Sequence, residues 1–200
     1  HEKRGVVLID VDERYDNNVS ERKHDISSHI LDLVYLYFEK ISEMTKTPFT
    51  NVPVYIFEKD TINTDNPNYV KDGVHIIIGL DMEHEGKIIL RNKVLQEIGD
   101  IFEDLPLKNS YEEVLDLGVA RGKTNWQLYG SRKPNNEDYK IVKIYNYSNN
   151  EDNEPEINEI KIEEEINYLD LLPKISARNK DFPRITLTDA IIEEMNKINK

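Results

Sequence analysis

The stretch Gly5-Val6-Val7-Leu8-Ile9-Asp10-Val11-Asp12 joins an uninterrupted apolar run to two acids one residue apart. Such a run predicts a buried strand, here over about residues 5–11. Side chains two residues apart on a strand point to the same side, so we expect Asp10 and Asp12 to lie together at the end of this strand. Two carboxylates that close repel each other unless a cation lies between them. The stretch therefore predicts a divalent-metal site with hard oxygen ligands, suited to Mg²⁺ or Mn²⁺.

The composition limits the classes of protein to be considered. The chain of 200 residues is long enough for one sizeable core, and its 38% hydrophobic and 32% charged residues are typical of a globular protein. No apolar stretch is long enough to span a bilayer, and no secretory signal is recognisable. The absence of cysteine excludes disulfides and thiolate zinc sites. Because the chain starts with His1 and leads almost directly into a core strand, we expect it to be a fragment of a longer protein.

Charge is unevenly distributed along the chain. The net charge of −13 argues against a protein that coats nucleic acid. Residues 151–165 hold eight acids against one lysine, whereas residues 117–136 contain no acid and four cations, Arg121, Lys123, Arg132 and Lys133. The basic segment is typical either of a local phosphate site or of a solvated loop, and charge alone favours neither.

Hydrophobic periodicity predicts two long helices, over residues 21–44 and 87–105. Predicted strands follow the first one at residues 52–57, 73–80, 114–117, 126–129 and 139–147. The strand at 52–57 is expected at an edge because of Pro53. The order of elements implies an α+β fold in which helices pack on one face of a sheet. We predict a domain over residues 1–147, an acidic linker over 148–165, and a helical exit segment over 166–200 leading towards a following domain.

Four polar side chains occupy predicted strand positions: Asp10, Asp12, His75 and Asp116. Burying such groups without compensation costs several kcal/mol, so each must be satisfied. One interpretation brings them together on one sheet, where the acids bind two metal ions ~4 Å apart and His75 donates to a nucleotide phosphate. The alternative is structural: the acids cap turns, and His75 is a hydrogen-bonded core residue.

In this order the residues resemble the archaeo-eukaryotic primase superfamily, and specifically the primase–polymerase domain of primase–helicases from large DNA viruses of the pox- and mimivirus type. Three elements carry the resemblance: Asp10-Val11-Asp12, Asp72-Gly73-Val74-His75, and the apolar-flanked Asp116. Residues 126–134 and 171–179 also resemble segments of the viral branch. The resemblance spans most of residues 4–180.

The resemblance implies an RRM-like catalytic sheet, two Mg²⁺ or Mn²⁺ ions and template-directed nucleotidyl transfer in viral DNA replication. It implies that Asp10, Asp12 and Asp116 hold the metals and that His75 contacts the incoming triphosphate. Looser candidates for phosphate contacts are Arg121, Lys123, Arg132 and Lys133. The implied partners are a single-stranded DNA template, nucleoside triphosphates and a fused or associated helicase domain, without a membrane, at an intracellular replication site. Since the family usually has a portion before its first acidic strand, residues 1–147 are expected to lack it.

Parts of the sequence are also compatible with two other functions. Asp10 and Asp12 could be the nucleophile and acid of a haloacid-dehalogenase-type phosphatase, but that family's later acidic motif would fall at residues 99–104, within a helical periodicity. A non-catalytic RRM-like replisome module is a third hypothesis. Gly118 to Thr124 resembles a P-loop with three residues between its glycines instead of four, so an ATPase site is rejected.

Overall fold

A computed structural model describes residues 3–46, 48–122, 137–149, 154–162, 168–176 and 179–198. Its strands are β1 Arg4–Tyr15, β2 Val52–Glu58, β3 Val70–Glu83, β4 Lys140–Asn149 and β5 Pro155–Ile160. Its helices are a π-helical segment Ile26–Ile30 that continues as α1 Leu31–Met44, then α2 His84–Leu95, α3 Gly99–Phe102, α4 Tyr111–Val114, α5 Leu117–Ala120, α6 Tyr168–Lys174 and α7 Asp189–Ile198. Among these described helices, none is both long enough and apolar enough to cross a bilayer.

The strands form one antiparallel sheet in the order β1-β3-β2-β4-β5. Strands combined with helices in this way confirm the predicted α+β class. The prediction that residues 52–57 form an edge strand was wrong, because β2 lies between β3 and β4. Pro53 is tolerated there because the ladder with β3 begins one residue later, at Val54, so the missing N–H of the proline breaks no pairing with β3.

Strand β1 is longer than predicted and continues to Tyr15. Asp10 and Asp12 therefore lie within a strand and not at its end. The continuation has a physical cause: Val11, Glu13 and Tyr15 are all buried on one face, and each has a partner on β3. The longer strand still places the Asp10 and Asp12 side chains on the same face, because side chains alternate along it.

Different helices pack on the two faces of the sheet. Helices α1 and α2 lie against the face formed by Val11, Val74 and Ile56, and α7 packs on α2. The opposite face carries a smaller cluster in which Leu171 and Ile175 contact Ile77 and its neighbours. The prediction that helices pack on one face is therefore incomplete, since α6 covers part of the second face.

The C-terminal third of the chain is more closely tied to the sheet than the sequence suggested. Residues 155–160, predicted as part of an acidic linker, form β5 and pair with β4 from Ile144 to Asn149. Ile175 and Ile191, within the predicted exit segment, are both buried. The existence of a domain beyond residue 200 stays a prediction.

The free edge of β1 is covered by residues 108–116. The carbonyl oxygens of Asp10, Asp12 and Arg14 each accept one hydrogen bond from this segment. Their donors are the Asp116 N–H at 3.1 Å, the Asn109 side-chain amide at 2.9 Å and the Lys108 N–H at 2.7 Å. Sheet edges that are covered in this way cannot pair with another chain. Residues 108–116 therefore cover the edge of the sheet, and these hydrogen bonds fix their position relative to β1.

The predicted strand at residues 114–117 is wrong. Ser110 and Glu113 form a reciprocal capping box that starts α4, and the Asp116 carboxylate accepts from the Val119 N–H at 2.8 Å and starts α5. Between the two helical turns, Leu115 makes a single bridge to Val11. The extended geometry needed to lie beside β1 is thus confined to one or two residues.

Arg91 on α2 holds this segment from the other side. Its Nε donates to the Leu115 carbonyl at 2.8 Å, and a terminal nitrogen donates to the Glu112 carbonyl at 2.7 Å. The residue is buried, which lowers the pKa of the guanidinium. A buried charge bound to main-chain carbonyls is a strong positional constraint, because either carbonyl would be left unsatisfied if the arginine were removed.

We expect Arg91→Met to lower the free energy of unfolding by about 2–4 kcal/mol, because two charge-assisted hydrogen bonds to buried carbonyls are lost. Hydrogen exchange at the Asp116 amide should accelerate, since that amide is held by the same segment. Urea unfolding and exchange measured by NMR test this. Lys93→Met is the matched control, because Lys93 on the same helix forms a part-exposed ion pair with Glu43 at 3.7 Å, of a kind that contributes little to stability. Unchanged exchange at Asp116 in the Arg91 variant would contradict the assignment.

Candidate active site

Three of the predicted site residues share the second face of the sheet. Asp10 and Asp12 alternate with buried Val11, and Asp10 is the direct cross-strand partner of His75. The His75 Nε2 lies 3.3 Å from the Asp10 Oδ1, and both side chains are largely buried, at 10% and 15% exposed. The two acids and the histidine are therefore brought together by the pairing of β1 with β3.

Asp116 reaches the same place from a distant part of the chain. Its main-chain N–H donates to the Asp10 carbonyl, and its carboxylate caps α5. The cap fixes the orientation of the side chain, and the charge of Asp116 acts on Asp12. The structure thus places Asp10, Asp12 and His75 on one face of the sheet and holds the main chain of Asp116 against Asp10. Asp116 lies in a connection between two helical turns and not in a strand.

The electrostatics of the cluster fit a cation. Burial and the charge of Asp10 raise the pKa of Asp12, with Asp116 adding to the effect and Lys71 opposing it. Burial is the largest cause of this raised pKa and the neighbouring acids add to it, so a cation bound beside the carboxylate would lower the pKa again. Carboxylate oxygens are the hard ligands that Mg²⁺ and Mn²⁺ prefer, and Asp10, Asp12 and Asp116 supply three carboxylates to this region. Their oxygens do not all lie within 4.8 Å of one another, a spacing that among the described residues only Glu13, His24 and Asp72 reach.

Gly73 allows the site to be compact. A Cβ at this position would lie 2.6 Å from the Val11 carbonyl oxygen and 3.3 Å from the Tyr139 hydroxyl. The first contact is with main chain and cannot be relieved by a side-chain movement, so only glycine lets β3 approach β1 here. The close approach of the two strands thus explains why glycine occupies the second position of Asp72-Gly73-Val74-His75.

Tyr139 belongs to the site although the sequence did not indicate it. Its ring stacks on His75 with centroids 3.6 Å apart and an angle of 16° between planes. Burial, followed by the charges of Asp10 and Asp12, raises the pKa of its phenol. Tyr139 was predicted only as the first residue of a strand, and the one usable signal was the aromatic residue beside an alternating segment.

Some of the predicted cations can be placed and others cannot. Arg121 ends α5, five residues after Asp116, and its side chain is exposed. Lys123, Arg132 and Lys133 lie outside the described residues, as do the aromatic residues of the 126–134 segment. The structure adds two lysines that sequence reasoning missed: Lys71 acts on the charge of Asp12, and Lys59 lies 5.1 Å from the Tyr139 ring centroid.

The residues of the phosphatase alternative do not share this arrangement. Asp100 lies on the exposed side of the short helix α3, not at the end of a strand. Its side chain faces solvent, whereas the Asp10 side chain is largely buried and lies against His75. The spacing that suggested the motif therefore has no matching geometry among the described residues.

Comparison with known sequences agrees with the geometry. A family model described as "C962R protein N-terminal AEP domain", where AEP stands for archaeo-eukaryotic primase, matches residues 1–145. A protein of Acanthamoeba polyphaga mimivirus named "Putative helicase L207/L206" is 30% identical over 139 residues, which are 68% of this chain. The matched part is 14% of that viral protein, so the chain corresponds to a small portion of it. The chain belongs to the archaeo-eukaryotic primase family of the C962R N-terminal type.

Proposed function

We propose that this domain is a primase–polymerase that joins nucleoside triphosphates on a single-stranded DNA template by a two-metal mechanism. The observation that carries the proposal is the hydrogen bond from the Asp116 N–H to the Asp10 carbonyl, at 3.1 Å. This main-chain contact holds Asp116, more than a hundred residues away in the sequence, beside the strand that carries Asp10 and Asp12. Membership of the archaeo-eukaryotic primase family supports the same reaction class.

The acids are the proposed metal ligands. Asp10 and Asp12 point to one side of β1, and Asp116 approaches along the free edge of the same strand. Divalent ions held there would activate the attacking 3′-hydroxyl and stabilise charge on the leaving pyrophosphate. The chain's own contribution is rigidity, since each acid is fixed by main-chain pairing or by a helix cap before any substrate binds.

His75 is the proposed contact to the triphosphate. It is the only one of the four site residues that can donate a hydrogen bond from its side chain at neutral pH, and it stacks on Tyr139. The stacked ring limits rotation of the imidazole, which keeps its donor directed at the acidic cluster. Lys59, Lys71 and Arg121 are proposed to supply further positive charge for the triphosphate or template, together with Lys123, Arg132 and Lys133.

The place of the domain in a larger protein is also a proposal. The mimivirus relative is named as a helicase and is several times longer than the chain that matches it. We propose that the primase–polymerase domain works beside a fused or associated helicase domain in viral DNA replication within the host cell. Priming and unwinding on the same template would then be coupled by proximity.

We expect Asp10→Asn and Asp116→Asn each to lower template-dependent extension at least about a hundredfold, because each removes a charged metal ligand worth several kcal/mol in the transition state. The assay supplies Mn²⁺, a single-stranded template and labelled triphosphates, with folding checked by circular dichroism. Asp100→Asn is the matched control and should extend normally.

A phosphomonoester assay run in parallel separates the alternatives. Release of phosphate that depends on Asp10 and Asp100, without extension, would favour the phosphatase. Extension by Asp116→Asn at the wild-type rate would overturn the two-metal assignment. Absence of both activities in the full-length protein would favour a non-catalytic module.

We expect His75→Gln to raise the KM for nucleoside triphosphate about tenfold while kcat falls less, because one charge-assisted or neutral hydrogen bond to phosphate is lost. Tyr139→Ala should produce a smaller change in the same direction, and Tyr139→Phe should leave KM unchanged because stacking is kept. Steady-state kinetics over a range of triphosphate concentrations distinguishes these outcomes. A fall in kcat at constant KM would instead assign His75 to holding Asp10.

A further inference from the structure

A second charged cluster lies behind the proposed active site, on the helix-covered face of the sheet. Glu13 and Asp72 are direct cross-strand partners in the β1–β3 ladder, and both side chains are almost fully buried, at 0% and 2% exposed. Along the chain, both residues adjoin residues of the proposed active-site face, since Glu13 follows Asp12 and Asp72 precedes Gly73. Two like charges directly opposite each other on a sheet destabilise it unless a cation compensates them.

Compensation comes from the connection between β1 and the first helix. Arg22 forms a bidentate pair with Asp72, at 2.8 and 3.0 Å, and also contacts Glu58. His24, 0% exposed, places its Nδ1 2.7 Å from the Glu13 Oε2 and 3.7 Å from the Asp72 Oδ2. The cluster therefore contains three buried carboxylates, one guanidinium and one imidazole.

This set of residues is not balanced by itself. Even with His24 protonated, three carboxylates against two cations leave one buried negative charge, which is costly in a low-dielectric interior. The Glu13 Oε1 is fully buried and has no hydrogen-bond partner among the described residues, and the buried His24 Nε2 lies 3.6 Å from the Glu58 Oε1, just beyond hydrogen-bond distance. Unsatisfied buried polar atoms of this kind indicate a missing ligand.

We propose that Glu13, His24 and Asp72 form a structural binding site for a divalent transition-metal ion of the Zn²⁺ type. One ligand atom from each residue can be chosen so that all three lie within 4.8 Å of one another. An imidazole nitrogen with two carboxylates is a donor set that Zn²⁺ accepts. Replacing the imidazole proton by a divalent ion leaves the cluster with no net charge and can give the Glu13 Oε1 atom a partner.

The surroundings resemble the supporting shell of a metal site. The Tyr15 hydroxyl donates to the Glu13 Oε2 at 2.9 Å, and the Gly73 N–H donates to the Asp72 Oδ1 at 2.9 Å. With Nδ1 on the metal, the His24 Nε2–H would face the Glu58 Oε1, which is 3.6 Å away. A ligating histidine whose second nitrogen faces a carboxylate is the usual arrangement at zinc sites.

A proton is the competitor for the same position. Burial disfavours the charged imidazole, but the side-chain contacts with Glu13 and Glu58 and the charges of Glu13 and Asp72 outweigh it and raise the pKa of His24 to about 9. Without metal the cluster is thus an imidazolium held by carboxylates. With metal, the ion would tie the 22–24 connection to both strands that carry Asp12 and His75 on their other face.

Zinc content tests the proposal without reference to activity. Protein expressed with added Zn²⁺ and dialysed exhaustively should retain about one Zn²⁺ per chain, measured by inductively coupled plasma mass spectrometry. His24→Gln should retain at least about tenfold less. His29→Gln is the matched control, since His29 lies in the next turn of chain and contacts the exposed Asp104 instead. The double variant Asp10→Asn/Asp12→Asn should also keep its zinc, which separates this site from the proposed catalytic one.

Anomalous diffraction at the zinc edge, measured on crystals of the wild-type protein, would locate the zinc ion whether or not any variant folds. A peak between Glu13, His24 and Asp72 supports the proposal. Zinc found elsewhere, or retained in full by His24→Gln, overturns it. Absence of zinc from the wild type also overturns it and identifies the cluster as a protonated ion-pair network. None of these results depends on whether the domain synthesises primers.

Discussion

The register of the β1–β3 ladder is the constraint on which both charged clusters depend. It sets Asp10 opposite His75 on one face and Glu13 opposite Asp72 on the other. A shift by one residue would move every side chain of β1 to the opposite face, exposing the apolar residues and burying the proposed metal ligands under α1 and α2. The apolar residues Val7, Ile9 and Val11 prevent such a shift because they are buried against the helices. Core packing therefore fixes the geometry of the site.

The third acid depends on a different kind of contact. Asp116 is not held by a strand ladder but by a single main-chain hydrogen bond, a helix cap and the anchoring of its neighbours by Arg91. These contacts are few but they are buried or charged, so each has a large effect on position. A ligand on a connection of this type can adjust more easily than one on a central strand. In the proposed site, Asp10 and Asp12 on β1 would therefore set the position of the metal ions, and Asp116 would adjust to them.

The sequence was sufficient to predict the features that depend on local pattern. The apolar run before Asp10 predicted β1. Among the four polar residues in apolar contexts, Asp10 and His75 lie 3.3 Å apart across the β1–β3 ladder. The edge position of β2 was wrong because Pro53 falls just outside the β3 ladder, where the ring lies against Gly79. The strand at 114–117 was wrong although Ser110-Tyr111-Glu112-Glu113 carries the capping-box pattern that predicts a helix start.

Other features had no local signal. The stacking of Tyr139 on His75 joins residues more than sixty positions apart and follows from the sheet order, which the sequence alone did not give. The second cluster could have been suspected, because Glu13 continues the buried alternation of Val11 and Tyr15 at a position where an apolar residue is expected. A charged residue in phase with a core stripe needs a partner, but which residue supplies it depends on how the following connection folds.

The net charge of −13 has less bearing on a polyanionic substrate than it first suggests. Part of the acidity lies on β5, at Glu156 and Glu159, which is separated from β3 by two strands. At about 4.8 Å per strand this is a distance of roughly 14 Å, well beyond the Debye length of about 8 Å at physiological ionic strength. Charges at that edge are largely screened from the site face. The potential met by a phosphate there depends on the nearby charges, which are Asp10, Asp12 and Asp116, the lysines Lys59 and Lys71, and any metal that the acids hold. A strongly acidic chain and a nucleotide site are therefore physically compatible if divalent ions offset the three acids.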